Sequence, residues 1–252
     1  MAVKEKIAVL MGGRSLEREV SLKSGHRVSE ALKEKGHPII QLDIDESMVD
    51  NLKREAPDLV YIALHGKYGE DGTIQELLEI LDIPYTGPGV YSSIVGFDKA
   101  ISKEIFQLER VPTPPFYALS QGAFKEMGAS GALGNIVKKL GLPLMVKPAR
   151  QGSALGIKYV KTAQELPGAL IGALSYDHKV IIEKYIVGTE VAVSLLGNDN
   201  PTLLPIVEIV PKKEFFDFEA MYTMGQTEYF VPARLSKEVT RKVEETALKV
   251  HQ

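Results

Sequence analysis

Two rhythms of apolar and polar positions run along this chain. Ile7–Met11 is an unbroken apolar run ended by Gly12-Gly13 and reads as a buried strand. A helical pattern then runs to about Lys35 and stops at Gly36, with Val20, Leu22, Val28, Ala31 and Leu32 mostly on one face. Pro38–Asp43 is a second strand. Strand, helix and strand in this order predict a parallel pair, so the chain opens as α/β. Asp58–Leu64 reads as another strand, Thr73–Leu81 as a helix and Ile83–Thr86 as a short strand. One helical region follows, from about Ser92 to Glu109, with Asp98-Lys99 near its middle. Pro112, Pro114 and Pro115 break the pattern and mark a boundary.

Beyond it the rhythm changes. Phe116–Leu119 opens a second lobe; residues 120–135 have poor periodicity and predict no element; Asn135–Leu140 completes a helix stopped by Gly141. The apolar run Leu142–Val146 leads through Lys147-Pro148 into a loop with Gly152, Ser153 and Gly156, and Ile157–Val160 returns as a strand. Ala163–Tyr176 reads as a helix despite Pro167 and Gly168. Val180–Ile182 is a strand, Glu183–Ile186 a connector, Val187-Gly188 a turn and Glu190–Leu196 a strand, so this lobe is antiparallel strands flanked by helices. Leu203–Pro211 predicts a strand. The aromatic and polar stretch after it fits a long ordered loop better than helix or strand, and such loops in compact domains act as lids. Ser236 caps a final amphipathic helix to Gln252, where an α/β lobe is expected to return with a further strand.

Composition narrows the class. At 252 residues, 44% hydrophobic and 25% charged, the chain is expected to fold as two or three lobes. A net charge of −3 argues against a nucleic-acid surface. With no cysteine there is no thiolate chemistry and no disulfide, which fits a reducing compartment. The five histidines lack metal-ligand spacing, and no apolar run approaches a membrane span. The stretch before Gly12 is too short in its apolar part for a signal peptide, so the expectation is cytoplasmic.

Candidate chemistry concentrates at loops. Glycines in the 149–157 loop let backbone N–H groups face an anion, and Lys147 adds a positive charge at the strand exit, which together suggest a phosphate cradle. The alternative is a surface hairpin with a flexible tip. The apolar connector after Val180–Ile182 offers a slot for a purine ring, with Glu183 and Glu190 able to accept from an amine and from ribose hydroxyls; the alternative for either is a solvated edge charge, the commoner case for an isolated glutamate. Glu17 stands at a strand-to-helix turn, the edge where ligands of open α/β sheets gather, and could hold a substrate ammonium, or simply favour the first helical turn. His65, at the end of a strand in a glycine-rich loop, is a candidate acid/base or carboxylate-binding group.

From end to end the sequence resembles the D-alanine–D-alanine ligases of the ATP-grasp superfamily. The carrying segments are MGGRSLEREVSLKSG (11–25), ALHGKYGEDGTIQELLE (63–79), PYTGPG (84–89), DK (98–99), VKPARQGSALG (146–156), IIEKYIVGTE (181–190) and FFDFEAMYTMGQTEYFVPARLS (215–236). The resemblance implies an N-terminal parallel-sheet lobe over 1–112, of pre-ATP-grasp type. An α+β ATP-grasp fold would follow, as a small lobe over 113–186 and a C-terminal lobe over 187–252 with a lid at 211–234. It implies that Glu17 grips the amine of a first D-alanine, with Ser153 and Tyr222 as its partners and His65 near the substrate carboxylate. Lys99, Lys147 and Gly152 would serve the ATP phosphates, and Glu183, Lys184, Tyr185, Ile186 and Glu190 the adenine and ribose. The implied reaction has two steps, phosphorylation of one D-alanine by ATP and attack of the amine of a second on the acylphosphate, for peptidoglycan precursor synthesis. Small molecules are the expected partners, with no nucleic acid or membrane, and a homodimer is compatible.

Departures qualify the match. Met221 stands where the family usually has a lysine, and Ala154 where it usually has a second serine. The family's strands bearing the ligands of Mg2+ (or Mn2+) would lie beyond residue 252, so no metal ligand is nominated, the ATP-grasp fold is expected to lack its C-terminal part, and a chain ending here is expected to bind ATP weakly and not turn over. A relative making D-alanyl-D-lactate or D-alanyl-D-serine, another carboxylate–amine ligase, or a non-catalytic binding protein are the alternatives. Tyr222 leans toward the dipeptide product, and retention of Glu17, Ser153 and Tyr222 argues against the non-catalytic reading.

Overall fold

The computed structural model describes residues 4–213 and 216–252. Met1–Val3 of the N-terminal stretch and Glu214-Phe215 of the expected lid lie outside the described residues. The chain divides into two compact units, Met1–Lys99 with Arg150–Gly152, and Ala100–Ala149 with Ser153–Gln252.

Unit 1 is α/β. Its elements are β1 (Ile7–Met11), α1 (Arg18–Glu34), β2 (Ile39–Asp43), α2 (Met48–Glu55), β3 (Leu59–Ile62), α3 (Thr73–Ile80) and α4 (Val90–Phe97). The strands form a parallel sheet in the order β2-β1-β3, as the β-α-β pattern predicts. β1 is buried over its whole length because both faces are covered, which is why it reads as a continuous apolar run. The expected strand at Ile83–Thr86 is only a parallel bridge, Val60 to Tyr85. Pro84 has no N–H to give to a ladder.

α1 departs from its apolar pattern. The residues it buries completely are Ser21, Gly25 and Ser29, four apart, while Leu22, Val28 and Leu32 pack at the margin of the β1 cluster. Small residues let the helix backbone come close to the sheet: a Cβ on Gly25 would stand 2.6 Å from the Cβ of Met11. Ser21 uses that closeness. Its Oγ accepts from Gly12 N at 2.9 Å and donates to the Ala63 carbonyl at 2.8 Å, joining the exits of β1 and β3.

Unit 2 is α+β. It holds α5 (Lys99–Leu108, whose first residue counts with unit 1), β4 (Phe116–Ser120), α6 (Gln121–Lys125), α7 (Leu133–Leu140), β5 (Leu144–Pro148), β6 (Lys158–Val160), α8 (Leu166–Leu174) and β7 (Lys179–Lys184). The remaining elements are β8 (Glu190–Ala192), β9 (Leu195–Leu196), β10 (Thr202–Leu203), β11 (Val207–Pro211), α9 (Phe218–Tyr222), β12 (Thr227–Phe230) and α10 (Lys237–His251). The main sheet, β4-β7-β5-β6, is antiparallel throughout. Period-two alternation decides its faces. Leu144, Val146, Val180 and Ile182 enter a core with Leu166 and Leu170 of α8, which leaves Met145, Lys147, Ile181 and Glu183 to the opposite face. Pro167 sits in the first turn of α8, where a missing N–H is tolerated. Ser236 caps α10 as expected, its Oγ accepting from Val239 N.

Several boundaries differ from the sequence expectation. The single helix expected over 92–109 is two, α4 and α5, because Asp98 is extended (φ −86°, ψ 98°). An acid directly before α5 is favourable at a helix N-terminus. The strand expected over Leu203–Pro211 is split into β10 and β11, with Pro205 between them. Glu190–Leu196 is likewise two strands, β8 and β9. Residues 120–135, without a predicted element, contain α6, a 3-10 turn at Ala129–Ala132 and the start of α7. The lid is not all loop: Asp217 caps α9 by accepting from Ala220 N at 2.8 Å, and β12 pairs with β11 in a sheet ordered β12-β11-β8.

Candidate functional site

In unit 1, Glu17 closes the turn between β1 and α1 and is only 2% exposed. Its carboxylate lies against the backbone of two glycines. A Cβ on Gly66 (φ +71°) would stand 2.0 Å from Glu17 Oε2, and one on Gly152 would stand 3.0 Å from it. A side chain at Gly66 would need both left-handed backbone and a shift of the Glu17 carboxylate, so the glycine-rich loop closes on that carboxylate. Ser15 bridges the two loops, its Oγ accepting from Glu17 N at 3.1 Å and donating to the His65 carbonyl at 2.8 Å. The His65 ring meets Ser24 Oγ through Nε2 at 3.0 Å, with Glu70 Oε1 4.0 Å from Nδ1. Burial raises the Glu70 carboxyl above the ordinary carboxylate range. A cavity of about 550 Å3 opens here, with His65, Glu70, Ser24, Tyr61 and Thr86 in its wall. Glu70 was not nominated; its signal was an acid five residues after His65 in the same glycine-rich loop. Lys99 opens α5 and donates to the Gln151 carbonyl at 2.7 Å.

In unit 2 the face of the main sheet away from α8 carries the second group. A cavity of about 670 Å3 has Lys147, Glu183, Lys184, Tyr185, Ile186 and Glu190 in its wall, so six of the residues nominated for nucleotide meet in one space. Glu183 belongs to β7, not to the connector after it: the strand runs on through Lys184. Register places Met145 opposite Glu183, which makes Lys147 its diagonal neighbour. Lys147 Nζ lies 2.6 Å from Glu183 Oε1, and Lys103 Nζ lies 2.7 Å from Oε2. Burial opposes ionisation of Glu183, but the two ammonium groups outweigh it and hold its carboxyl below the ordinary range. Glu190 goes the other way: burial raises its carboxyl, with Lys147 only partly offsetting this. The ring of Tyr185 packs on Tyr159 with centroids 4.8 Å apart.

The hairpin tip has an unusual backbone. Ser153 (φ 51°) and Ala154 (φ 57°) are consecutive left-handed residues without being glycine. Ser153 Oγ is 2.7 Å from the Tyr222 hydroxyl. Sequence reasoning missed Lys103, Glu208 and Arg234. Arg234 makes two charged hydrogen bonds to Glu208, at 2.7 and 3.0 Å, and its backbone N–H a third at 2.9 Å. These hold the Glu208 carboxyl down at about 2. Both residues line the larger cavity.

Among the described residues no group of three His, Cys, Asp or Glu side chains is placed to hold a metal ion. Among the described residues no helix is long and apolar enough to cross a membrane.

Family models described as the D-ala D-ala ligase C-terminus and N-terminus match residues 105–252 and 46–88. A D-alanine–D-alanine ligase of Carboxydothermus hydrogenoformans is 45% identical over 98% of this chain and 78% of its own length. A Bacillus anthracis D-alanine–D-alanine ligase solved with ATP is 34% identical, with a TM-score of 0.78 over 98% of this chain and 76% of that one. The VanG D-Ala:D-Ser ligase of Enterococcus faecalis is 30% identical, with a TM-score of 0.79 over 98% of this chain and 82% of that one. The fold is that of the ATP-grasp enzymes. The chain belongs to the D-alanine–D-alanine ligase family.

Proposed function

We propose that the reaction this chain's site serves is the ATP-dependent ligation of two D-alanines, for peptidoglycan precursor synthesis in the cytoplasm. The observation that carries the reading is the unit 2 cavity, where Lys147, Glu183 and Glu190 share one wall with Tyr185 and Ile186. Its volume, about 670 Å3, is within the usual range for a small-molecule site. In this reading Ile186 and Tyr185 flank the adenine, Lys184 and Glu183 border it, and Glu190 accepts from ribose. Lys147 neutralises phosphate charge, as do Lys99 and the backbone around Gly152. Glu17 holds the amine of the first D-alanine, His65 its carboxylate, and Ser153 with Tyr222 keep the lid in register.

The γ-phosphoryl group passes from ATP to a carboxylate oxygen of one D-alanine, and ADP leaves. The amine of the second D-alanine then forms the C–N bond, and phosphate leaves. Little covalent chemistry falls to the protein, whose work is positioning and neutralising charge. Mg2+ would neutralise phosphate charge when it accompanies ATP.

Displacement of a fluorescent ATP analogue tests the site. ATP is expected to compete in the wild type, and Lys147→Ala to weaken it by roughly tenfold or more, since a charge-assisted contact is lost. Competition unaffected by Lys147→Ala and Glu190→Ala would overturn the placement. Ligation is read as ADP release by the gene product. D-alanine dependence supports the reading, and release with D-serine or D-lactate but not D-alanine as second substrate would replace it.

A further inference from the structure

Glu183 is a buried carboxylate with two cations rather than one. Side-chain exposure is 7% for Glu183 and 8% for Lys103, against 26% for Lys147. One negative and two positive charges leave an excess of one positive charge. A buried charge must be compensated, and a buried ion with one partner removed draws strongly on whatever remains. The three groups therefore cannot be equivalent, and their surroundings show how they divide. Lys103 is enclosed: besides Glu183 it donates to Thr113 Oγ1 at 2.7 Å, and its ammonium stands 4.9 Å from the centroid of the Phe116 ring. Lys147 and Glu183 line the 670 Å3 cavity, whereas Lys103 is not among the described residues of its wall.

We propose that Lys103 is a positioning residue of the nucleotide site. It compensates the Glu183 carboxylate from the closed side, so that the charge of Lys147 stays available to the phosphates of a ligand in the cavity. The inference rests on the nucleotide reading above. Without Lys103, Lys147 is the one counter-ion left to Glu183 among the described residues. Its charge is then cancelled at the very place where an anion must be met. With Glu183 neutralised, Lys103 has nothing to compensate, and its removal should no longer matter to phosphate.

Isothermal titration of ATP and of adenosine against wild type, Lys103→Met, Lys103→Arg, Glu183→Gln and the Lys103→Met/Glu183→Gln double variant tests this. Adenosine reports the base and ribose wall without phosphate. Lys103→Met is expected to weaken ATP by roughly tenfold, the scale of one charged contact, while adenosine changes by less than about twofold. Lys103→Arg is expected to retain ATP binding, and the double variant to bind ATP as tightly as Glu183→Gln. The double variant holds no uncompensated buried charge, so it gives the answer even where Lys103→Met does not fold. Equal losses for ATP and adenosine in Lys103→Met would mean a general structural role and overturn the proposal. So would wild-type ATP affinity in Lys103→Met, or a further ATP loss in the double variant relative to Glu183→Gln. Failure of the wild type to bind either ligand is a separate result: it removes the nucleotide reading itself, and the inference with it.

Discussion

The hydroxyl of Ser153 lies 2.7 Å from that of Tyr222, a contact across 69 residues of sequence. It joins the left-handed tip of the β5–β6 hairpin to the last residue of α9. Tyr222→Phe removes this bond and keeps the ring, which packs on Phe218 at 4.9 Å. Because the contact is exposed, global stability is expected to change by no more than about 1 kcal/mol. Amide exchange within residues 218–226 is expected to speed up, while exchange in β5 stays unchanged. Unaltered exchange across α9 would show that the contact does not hold the lid.

Gly66 and Gly87 form a matched pair for testing the cradle around Glu17. Both have positive φ, but a Cβ at Gly66 meets Glu17 Oε2 at 2.0 Å and one at Gly87 meets nothing within 4 Å. Gly87→Ala is expected to cost about 1–2 kcal/mol, the cost of left-handed backbone alone. Gly66→Ala should cost clearly more in urea unfolding and should also displace the Glu17 carboxylate. Equal costs would mean that the loop relaxes and the carboxylate is not fixed by it.

Adjacent residues on α8 separate core from surface. Leu170 is fully buried and Ile171 is 63% exposed. Leu170→Ala is expected to destabilise unit 2 by about 2–5 kcal/mol. Ile171→Ala should stay within about 0.5 kcal/mol. Chemical denaturation followed by circular dichroism reads both, and a reversed order would contradict the packing of α8 on the main sheet.

Acid stability should depend on Arg234. The Glu208 carboxyl is held at about 2, well below its ordinary value of 4.5. A depressed folded-state value means that the unfolded chain takes up the proton first. The stabilisation is thus present above about pH 4.5 and is lost as pH falls through about 2. Arg234→Met is expected to flatten the fall in urea midpoint over that window. The contrast should shrink at high salt, because the guanidinium side is 57% exposed. A wild-type slope retained in Arg234→Met would locate the acid sensitivity elsewhere.

Local pattern was enough for the parts of the fold that are local. β1 with its Gly12-Gly13 exit, the β5–β6 hairpin around Lys147, and the Ser236 cap of α10 are all readable from neighbours in sequence. What stayed hidden depends on distant partners. β12 exists because β11 offers it an edge, and nothing within Thr227–Phe230 announces that. α9 did carry a signal, the capping Asp217, but one turn of helix in an aromatic stretch has too little periodicity to stand out. The lysine pair on Glu183 is invisible for the same reason, since 80 residues separate Lys103 from its carboxylate. Glu208 and Arg234 are 26 apart and share no motif. The buried face of α1 was legible only at its margin: hydrophobicity points to Leu22 and Leu32, which do pack on the β1 cluster, but closeness to the sheet selects Ser21, Gly25 and Ser29 for its centre.

That last choice has an effect beyond packing. A helix seated on its own backbone cannot be re-levelled by swapping one greasy side chain for another, as a helix seated on leucines can. Glu17 is the residue from which this helix departs, so its carboxylate inherits whatever height the seat allows. One methyl group added at position 25 would tilt the mount and carry the acid with it, although it would touch Met11 and not Glu17.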